Sequence, residues 1–175
     1  MNSVEIENIE NELSELEGLK LYESRENTHS KVIAYILKNN REFLNKILEI
    51  AGIKIKDINL DNVFIAAETD NRKDIEIKGD NFVVVIENKY KDRNRRGQLE
   101  KYEKYICEQY DNFEKGFIYL RPFQHELSAK LKNWKSITYK DILDILYTLK
   151  ADDEYLRRYK KIIEKIYETQ TICIL

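Results

Sequence analysis

Two charged side chains and an asparagine stand where a buried strand should end. The run Phe82-Val83-Val84-Val85-Ile86 is as apolar as a core strand, yet it passes straight into Glu87, Asn88 and Lys89. Shortly before it comes Asp74-Ile75-Glu76-Ile77. Side chains alternate across a strand, so Asp74 and Glu76 share one face, as do Val83, Val85, Glu87 and Lys89. Two carboxylates brought close repel each other unless a cation lies between them. Lys89 supplies one positive charge, and a divalent metal would supply two more. Carboxylate oxygens are hard ligands that suit Mg2+ or Mn2+, ions that keep several waters and bind substrate phosphate. Such an ion polarises a phosphoryl oxygen and lowers the pKa of a bound water. Lys89 is then suited to orienting that water or stabilising charge in the transition state. The chemistry this set would serve is phosphodiester hydrolysis. A charge pair ending a strand ordinarily means only that the strand has reached water, so the case depends on Asp74 arriving opposite.

That depends on the turn. The sequence Lys78-Gly79-Asp80-Asn81-Phe82 reads as a tight hairpin. With a two- or four-residue loop, an even-numbered residue on the first strand faces an odd-numbered one on the second. Asp74 then shares the face of Glu87 and Lys89, with Cβ separations of roughly 5–8 Å. A three-residue loop would put them on opposite faces.

The rest of the chain supplies elements to hold this hairpin. Strands are predicted at about 62–68, 72–78 and 82–89, then over Lys115–Arg121, with a short fifth at Ser136–Tyr139. A charged helix is predicted at 3–17. A second, capped by Asn27 or Thr28, carries Val32, Ile33, Ile36 and Leu37 and continues through Phe43, Leu44, Ile47 and Leu48. Gly97-Gln98-Leu99 opens a helix with Leu99, Tyr102, Tyr105 and Ile106 along one face, and two more helices follow near 139–150 and 152–168. The order predicts an α/β fold with one central mixed sheet, in a single domain spanning 1–175.

Composition bounds the possibilities. The chain has 175 residues, 35% of them charged, with a net charge of −2 and a pI near 5.9, so nothing global draws it to nucleic acid. A polyanion site must be built locally. No apolar run approaches the length of about 18 residues expected of a membrane helix, and the acidic first residues are unlike a signal peptide. Cys107 and Cys173 have no metal-type spacing, which points to reduced thiols and a cytoplasmic protein.

The motif Glu68-Thr69-Asp70-Asn71-Arg72-Lys73-Asp74-Ile75-Glu76-Ile77, the strand ending Ile86-Glu87-Asn88-Lys89 and the helix Gln98-Leu99-x-x-Tyr102 together resemble the PD-(D/E)xK nuclease superfamily, in its bacterial and phage-type branch. Phe117-Ile118-Tyr119-Leu120-Arg121-Pro122, then Trp134 and Ile137-Thr138-Tyr139-Lys140-Asp141-Ile142, are similar to the branch's later segments, so the likeness runs over roughly residues 24–150. The resemblance implies a restriction-endonuclease-like αβββαβ core, with the N-terminal and C-terminal helices packed on it. It implies Asp74 and Glu87 as metal ligands, joined by the Asn88 carbonyl, and Lys89 as the catalytic lysine. Gln98 would face the site with Tyr102 one turn on, and Glu68 and Glu26 match acidic positions near the metal in many members. The proline that often precedes the first aspartate is replaced by Lys73. His29 reads as a first-turn helix residue for capping or hydrogen bonding, and His125 as a surface residue.

One basic run, with Lys91, Arg93, Arg95 and Arg96, falls between the Glu-x-Lys strand and the next helix, where it would contact a phosphate backbone. Leu156, Tyr159, Ile162, Ile163 and Ile166 form one helical stripe, which reads as core packing or a surface for a partner helix. The sequence thus predicts a Mg2+- or Mn2+-dependent nuclease acting on nucleic acid, DNA ahead of RNA, with a homodimer compatible with the small chain. The alternative is a catalytically silent nuclease fold that binds nucleic acid or a protein partner. Retention of two mutually repelling carboxylates beside Lys89 argues against it.

Overall fold

The structure, a computed structural model, describes residues 3–18, 25–54, 59–69, 73–89, 97–122, 131–151 and 153–172. Two helical and two strand periodicities dictate most of it. The apolar residues Ile9, Leu13 and Leu16 recur at helical spacing and are buried from α1 (Ser3–Gly18). Next come α2 (Glu26–Asn39) and α3 (Arg41–Ala51), then a short 3-10 turn at Leu60–Asn62. The strands β1 (Phe64–Thr69), β2 (Lys73–Lys78) and β3 (Phe82–Asn88) follow, then α4 (Gln98–Gln109), β4 (Glu114–Arg121), β5 (Trp134–Thr138), α5 (Tyr139–Thr148) and α6 (Glu154–Ile172).

The five strands form one sheet in the order β1-β2-β3-β4-β5. The first three make an antiparallel meander, and β4 and β5 run parallel to β3. A parallel return needs a crossover, and α4 provides the one between β3 and β4. Every residue of β3 is buried, as expected of a central strand covered on both faces. Its odd residues Val83 and Val85 pack with Leu99, Ile106, Phe117, Tyr119 and Trp134 under α4. Its even residues Phe82, Val84 and Ile86 join the larger core formed with α1, α2, α3, α5 and α6. The stripe Leu156, Tyr159, Ile162 and Ile163 belongs to that larger core, with Ile166 packed against it.

Three local expectations are corrected. The second predicted helix is two helices. Asn40 takes an extended conformation, φ −128° and ψ 101°, and its side chain accepts from the Phe43 N–H at 2.8 Å, so it ends α2 and caps α3. An asparagine side chain competes with the helix for its own backbone and turns a continuous apolar stripe into two segments. The start of α2 is also different. It begins at Glu26 after Arg25, with no side-chain cap, while Thr28 lies inside the helix and donates to Glu15 Oε2 at 3.2 Å. The fifth strand runs earlier, from Trp134, and Thr138 with Asp141 forms a capping box that hands it directly to α5. Among the described residues no helix is long and apolar enough to cross a membrane.

Candidate active site

The β2–β3 turn has two residues, Asp80 and Asn81, closed by the Gly79 N–H donating to Phe82 O at 3.0 Å. Glycine is required here because a Cβ at position 79 would sit 2.1 Å from the Phe82 ring, which folds back over the turn. The register follows: Lys78 pairs with Val83, Glu76 with Val85 and Ile75 with Ile86, which sets Asp74 level with Glu87. The Asn88 N–H donates to Asp74 Oδ2 at 2.7 Å, tying the carboxylate to the end of β3.

Lys89 lies at the centre of the group. Its backbone N–H donates to Leu120 O at 2.9 Å, which continues the parallel β3–β4 ladder one residue further and holds Lys89 in line. Its Nζ is 2.7 Å from Glu87 Oε1, 3.5 Å from Asp74 Oδ2 and 3.8 Å from Glu26 Oε2, and donates to Asn88 O at 3.4 Å. Gln98 opens α4 after Gly97, whose left-handed φ of 80° turns the chain into the helix. Gln98 Nε2 donates to Glu87 Oε1 at 2.9 Å and to the Tyr102 hydroxyl at 3.0 Å. One Glu87 oxygen therefore receives two donors. The other, Oε2, is buried with no hydrogen-bond partner among the described residues.

Electrostatics follow from burial. The Glu87 side chain is 1% exposed, and burial with the nearby Asp74 charge pushes its carboxyl up to about 7. Burial also pushes Asp74 up, against the pull of Lys89. Burial by itself draws Lys89 down, but Glu87, Asp74 and Glu26 together outweigh it and hold the ammonium above the ordinary lysine value. Tyr102 is pushed up chiefly by burial.

The donor chemistry fits a hard divalent cation. A partnerless buried carboxylate oxygen is a costly feature unless something positive completes it. Asp74, Glu87 and the Asn88 carbonyl are the oxygens that would hold an ion. Among the described residues no group of three or more His, Cys, Asp or Glu side chains is arranged to hold one by itself, so waters would complete the shell.

Of the residues singled out in the sequence, the structure gathers Asp74, Glu87, Lys89, Gln98, Tyr102 and Glu26. It does not gather Glu68. That residue stands level with Asp74 in the β1–β2 register, but its φ of 53° takes it out of the extended ladder. It is exposed, and its charge acts on Lys31 of α2. Lys91, Arg93, Arg95 and Arg96 lie outside the described residues, as do His125 and Cys173. His29 is 2% exposed in the core, its Nδ1 3.0 Å from the Tyr159 hydroxyl and its ring edge-on to Tyr139 at 5.1 Å. Burial pulls it down to about 3, so it is neutral and has no part in the charged group.

Sequence reading missed two features. The Asn88 side chain leaves by the opposite face of the sheet into a buried network. An asparagine at a position whose alternation calls for a core residue was the available signal. Arg121, on the same face as Glu87 through the Glu87–Tyr119 register, is 5% exposed with its guanidinium 5.3 Å over the Tyr119 ring. A cation closing an apolar strand next to β3 was its signal.

A family model described as the PD-(D/E)XK nuclease superfamily matches residues 16–169, a span that contains every residue of the charged group. No curated protein and no solved structure matches the chain.

Proposed function

The chain belongs to the PD-(D/E)XK nuclease superfamily, with the restriction-endonuclease-like arrangement of a five-stranded mixed sheet flanked by helices, and from that premise we propose a Mg2+- or Mn2+-dependent nuclease that hydrolyses phosphodiester bonds in nucleic acid, DNA ahead of RNA. The observation that carries this reading is the Glu87 carboxylate. It is buried at the end of β3 with Oε2 unpartnered among the described residues, Asp74 level with it and Lys89 2.7 Å from Oε1. Most buried carboxylate oxygens in a folded protein are satisfied, so an oxygen left open between two charged neighbours supports a ligand there.

Asp74, Glu87 and the Asn88 carbonyl would hold the cation, which when bound supplies a Lewis acid toward a phosphoryl oxygen and acidifies a water. The protein's own groups do the rest. Lys89 brings a permanent positive charge to where negative charge grows on the transferring phosphoryl group. Gln98 fixes the Glu87 carboxylate through Oε1 and leaves Oε2 facing a ligand. Tyr102 fixes Gln98 in turn. Asp74 is held by the Asn88 N–H, so the two carboxylates keep their spacing without rearrangement. The basic run Lys91, Arg93, Arg95 and Arg96 follows Lys89 directly in sequence, and we assign it to the phosphate backbone. Residues 1–175 are taken as one nuclease unit, free to act as a homodimer.

Incubation with supercoiled plasmid, linear duplex, single-stranded DNA and RNA, each with Mg2+, Mn2+ or EDTA, tests the proposal. Cleavage with either metal and none in EDTA supports it. Binding of nucleic acid without cleavage under any of these conditions would favour a silent nuclease fold.

A further inference from the structure

Asn88 stands between Glu87 and Lys89, and its side chain is fully buried on the other face of β3. Its Nδ2 donates to Glu26 O at 3.1 Å and to Ser30 Oγ at 3.0 Å, and its Oδ1 accepts from the Tyr139 hydroxyl at 2.8 Å. Ser30 Oγ also donates to Glu26 O at 2.9 Å. Both amide hydrogens and the carbonyl oxygen are therefore used inside the protein, where an unmade bond is costly. The partners are the first turn of α2 and the first residue of α5, distant in sequence from β3. The α2 start has no side-chain cap of its own, since Arg25 provides none. Glu26, whose carbonyl Asn88 holds, is the residue whose carboxylate stands 3.8 Å from Lys89 Nζ.

We propose that Asn88 is a positioning residue for the charged centre: from the opposite face of the sheet its amide clamps the start of α2 and so sets where the Glu26 carboxylate stands against Lys89. The residue between the two ends of the Glu-x-Lys motif then has a task of its own. Its backbone N–H fixes Asp74 on one side while its side chain fixes Glu26 from the other. The Glu26 carbonyl locks the orientation of the amide, because turning it over would set two acceptors against each other there, and Tyr139 then donates to the oxygen that faces it. Further along, the Tyr139 ring lies edge-on to His29, which meets the Tyr159 hydroxyl, so the clamp is backed by α6. This inference rests on the nuclease reading for its kinetic test, but not for its structural one.

The test is a double-mutant cycle on the full chain: wild type, Asn88→Ala, Glu26→Gln and the double variant. Tyr139→Phe joins as a milder break of the clamp, and Leu146→Ala as a destabilised control from the core distant from the centre. Cleavage of linear duplex with Mg2+ is followed at a temperature where melts show each protein folded. Amide hydrogen exchange is followed in the metal-free proteins. Asn88→Ala is expected to lower kcat by about tenfold to a hundredfold with little change in KM, the cost of misplacing a group by about 1 Å. Glu26→Gln should lower kcat in the wild-type background and add little in Asn88→Ala. Tyr139→Phe should lose less in the same direction and stands in if Asn88→Ala does not fold. Leu146→Ala should keep both constants. Amides over residues 26–31 should exchange faster in Asn88→Ala and Tyr139→Phe than in Leu146→Ala. Unchanged kcat in both clamp variants, no effect of Glu26→Gln, or an equal loss from Glu26→Gln in both backgrounds overturns the proposal. If the wild type cleaves nothing, the nuclease reading fails separately and exchange alone decides: selective opening of the α2 start supports the clamp, and its absence overturns it.

Discussion

Lys89 Nζ lies 2.7 Å from Glu87 Oε1, while Oε2 of the same buried carboxylate has no hydrogen-bond partner among the described residues. The two residues are two positions apart on one strand, so the pairing follows from alternation and survives any rearrangement that keeps β3 extended. A lysine held this way neutralises half of a carboxylate pair and leaves an oxygen for a ligand. The consequences separate the two charges.

Lys89→Ala and Asp74→Asn should each lower cleavage by about a hundred- to a thousandfold, for different reasons. Asn keeps an acceptor for the Asn88 N–H, which Asp74 Oδ2 now serves at 2.7 Å, so the fold is preserved better than with Ala. Asp74→Asn should weaken Mn2+ binding in titration calorimetry and leave the metal-free melting temperature level or higher, because a repulsion is relieved. Lys89→Ala should bind Mn2+ still but melt lower without it, since Glu87 and Asp74 lose their shared cation. Full activity in Lys89→Ala would exclude it from the chemistry.

Gln98→Ala removes the donor at 2.9 Å from Glu87 Oε1 and the bond to the Tyr102 hydroxyl. Cleavage should fall by about tenfold or more, while stability falls by about 1–3 kcal/mol, the net worth of two hydrogen bonds. Tyr102→Phe should do less, because Gln98 keeps its bond to Glu87. Equal rates for Gln98→Ala and wild type would leave α4 as scaffold.

The pH dependence has two opposing parts. Glu87 is raised from 4.5 to about 7, so across that window the folded protein holds a proton the unfolded chain has released. Metal-free stability from this group therefore falls as pH rises. His29 is lowered from 6.5 to about 3, so there the unfolded chain holds the extra proton, and stability from this group is lost as pH falls. Melting temperatures from pH 3 to 8 should show Glu87→Gln gaining on wild type as pH rises toward 7. His29→Gln should trail wild type at neutral pH and close the gap in acid. Mn2+ affinity of the wild type should strengthen as pH rises through about 7, because binding must displace the Glu87 proton. A gap independent of pH for either variant would contradict its assigned shift.

Gly79→Ala should destabilise by about 1–3 kcal/mol, the usual cost of overpacking. The new methyl would meet the Phe82 ring at 2.1 Å, and that ring is fully buried with nowhere to go. Denaturant titration measures it. Because the turn also sets the register of Asp74 against Glu87, activity should fall further than stability alone explains. A variant as stable as wild type would mean the ring can swing away.

Parity explains why the centre of the site could be read from residues alone. Alternation along a strand has a period of two, and a two-residue turn at Asp80-Asn81 leaves one choice of which faces meet, so Asp74, Glu87 and Lys89 come together from sequence numbers. Gln98 followed from resemblance to a motif, and its position one helix later is equally local. Local chemistry also misled where two codes compete at one residue. The apolar stripe from Val32 to Leu48 has helical period throughout, but Asn40 caps the second half and divides it. Asn27 and Thr28 are good caps by type, yet the helix starts ahead of both.

What folding alone decided are contacts between residues far apart in the chain. Glu26 and Asn88 are joined across a separation of 62 residues, Ser30 and Asn88 across 58, and Tyr139 and Asn88 across 51. Resemblance to a motif pointed to Glu26, but no period encodes the contacts that hold α2 and α5 against the end of β3, because these are set by how the two helices share the larger core. The parallel course of β4 against β3 belongs to the same class, since it depends on α4 packing back over the sheet. So does the outward turn of Glu68, a residue whose position beside Asp74 is fixed by register but whose left-handed backbone is not. Strand alternation and turn length act through covalent geometry over a few residues and are written in sequence. The closing of long loops around a shared core is a collective outcome of packing, and it exists only once the chain has folded.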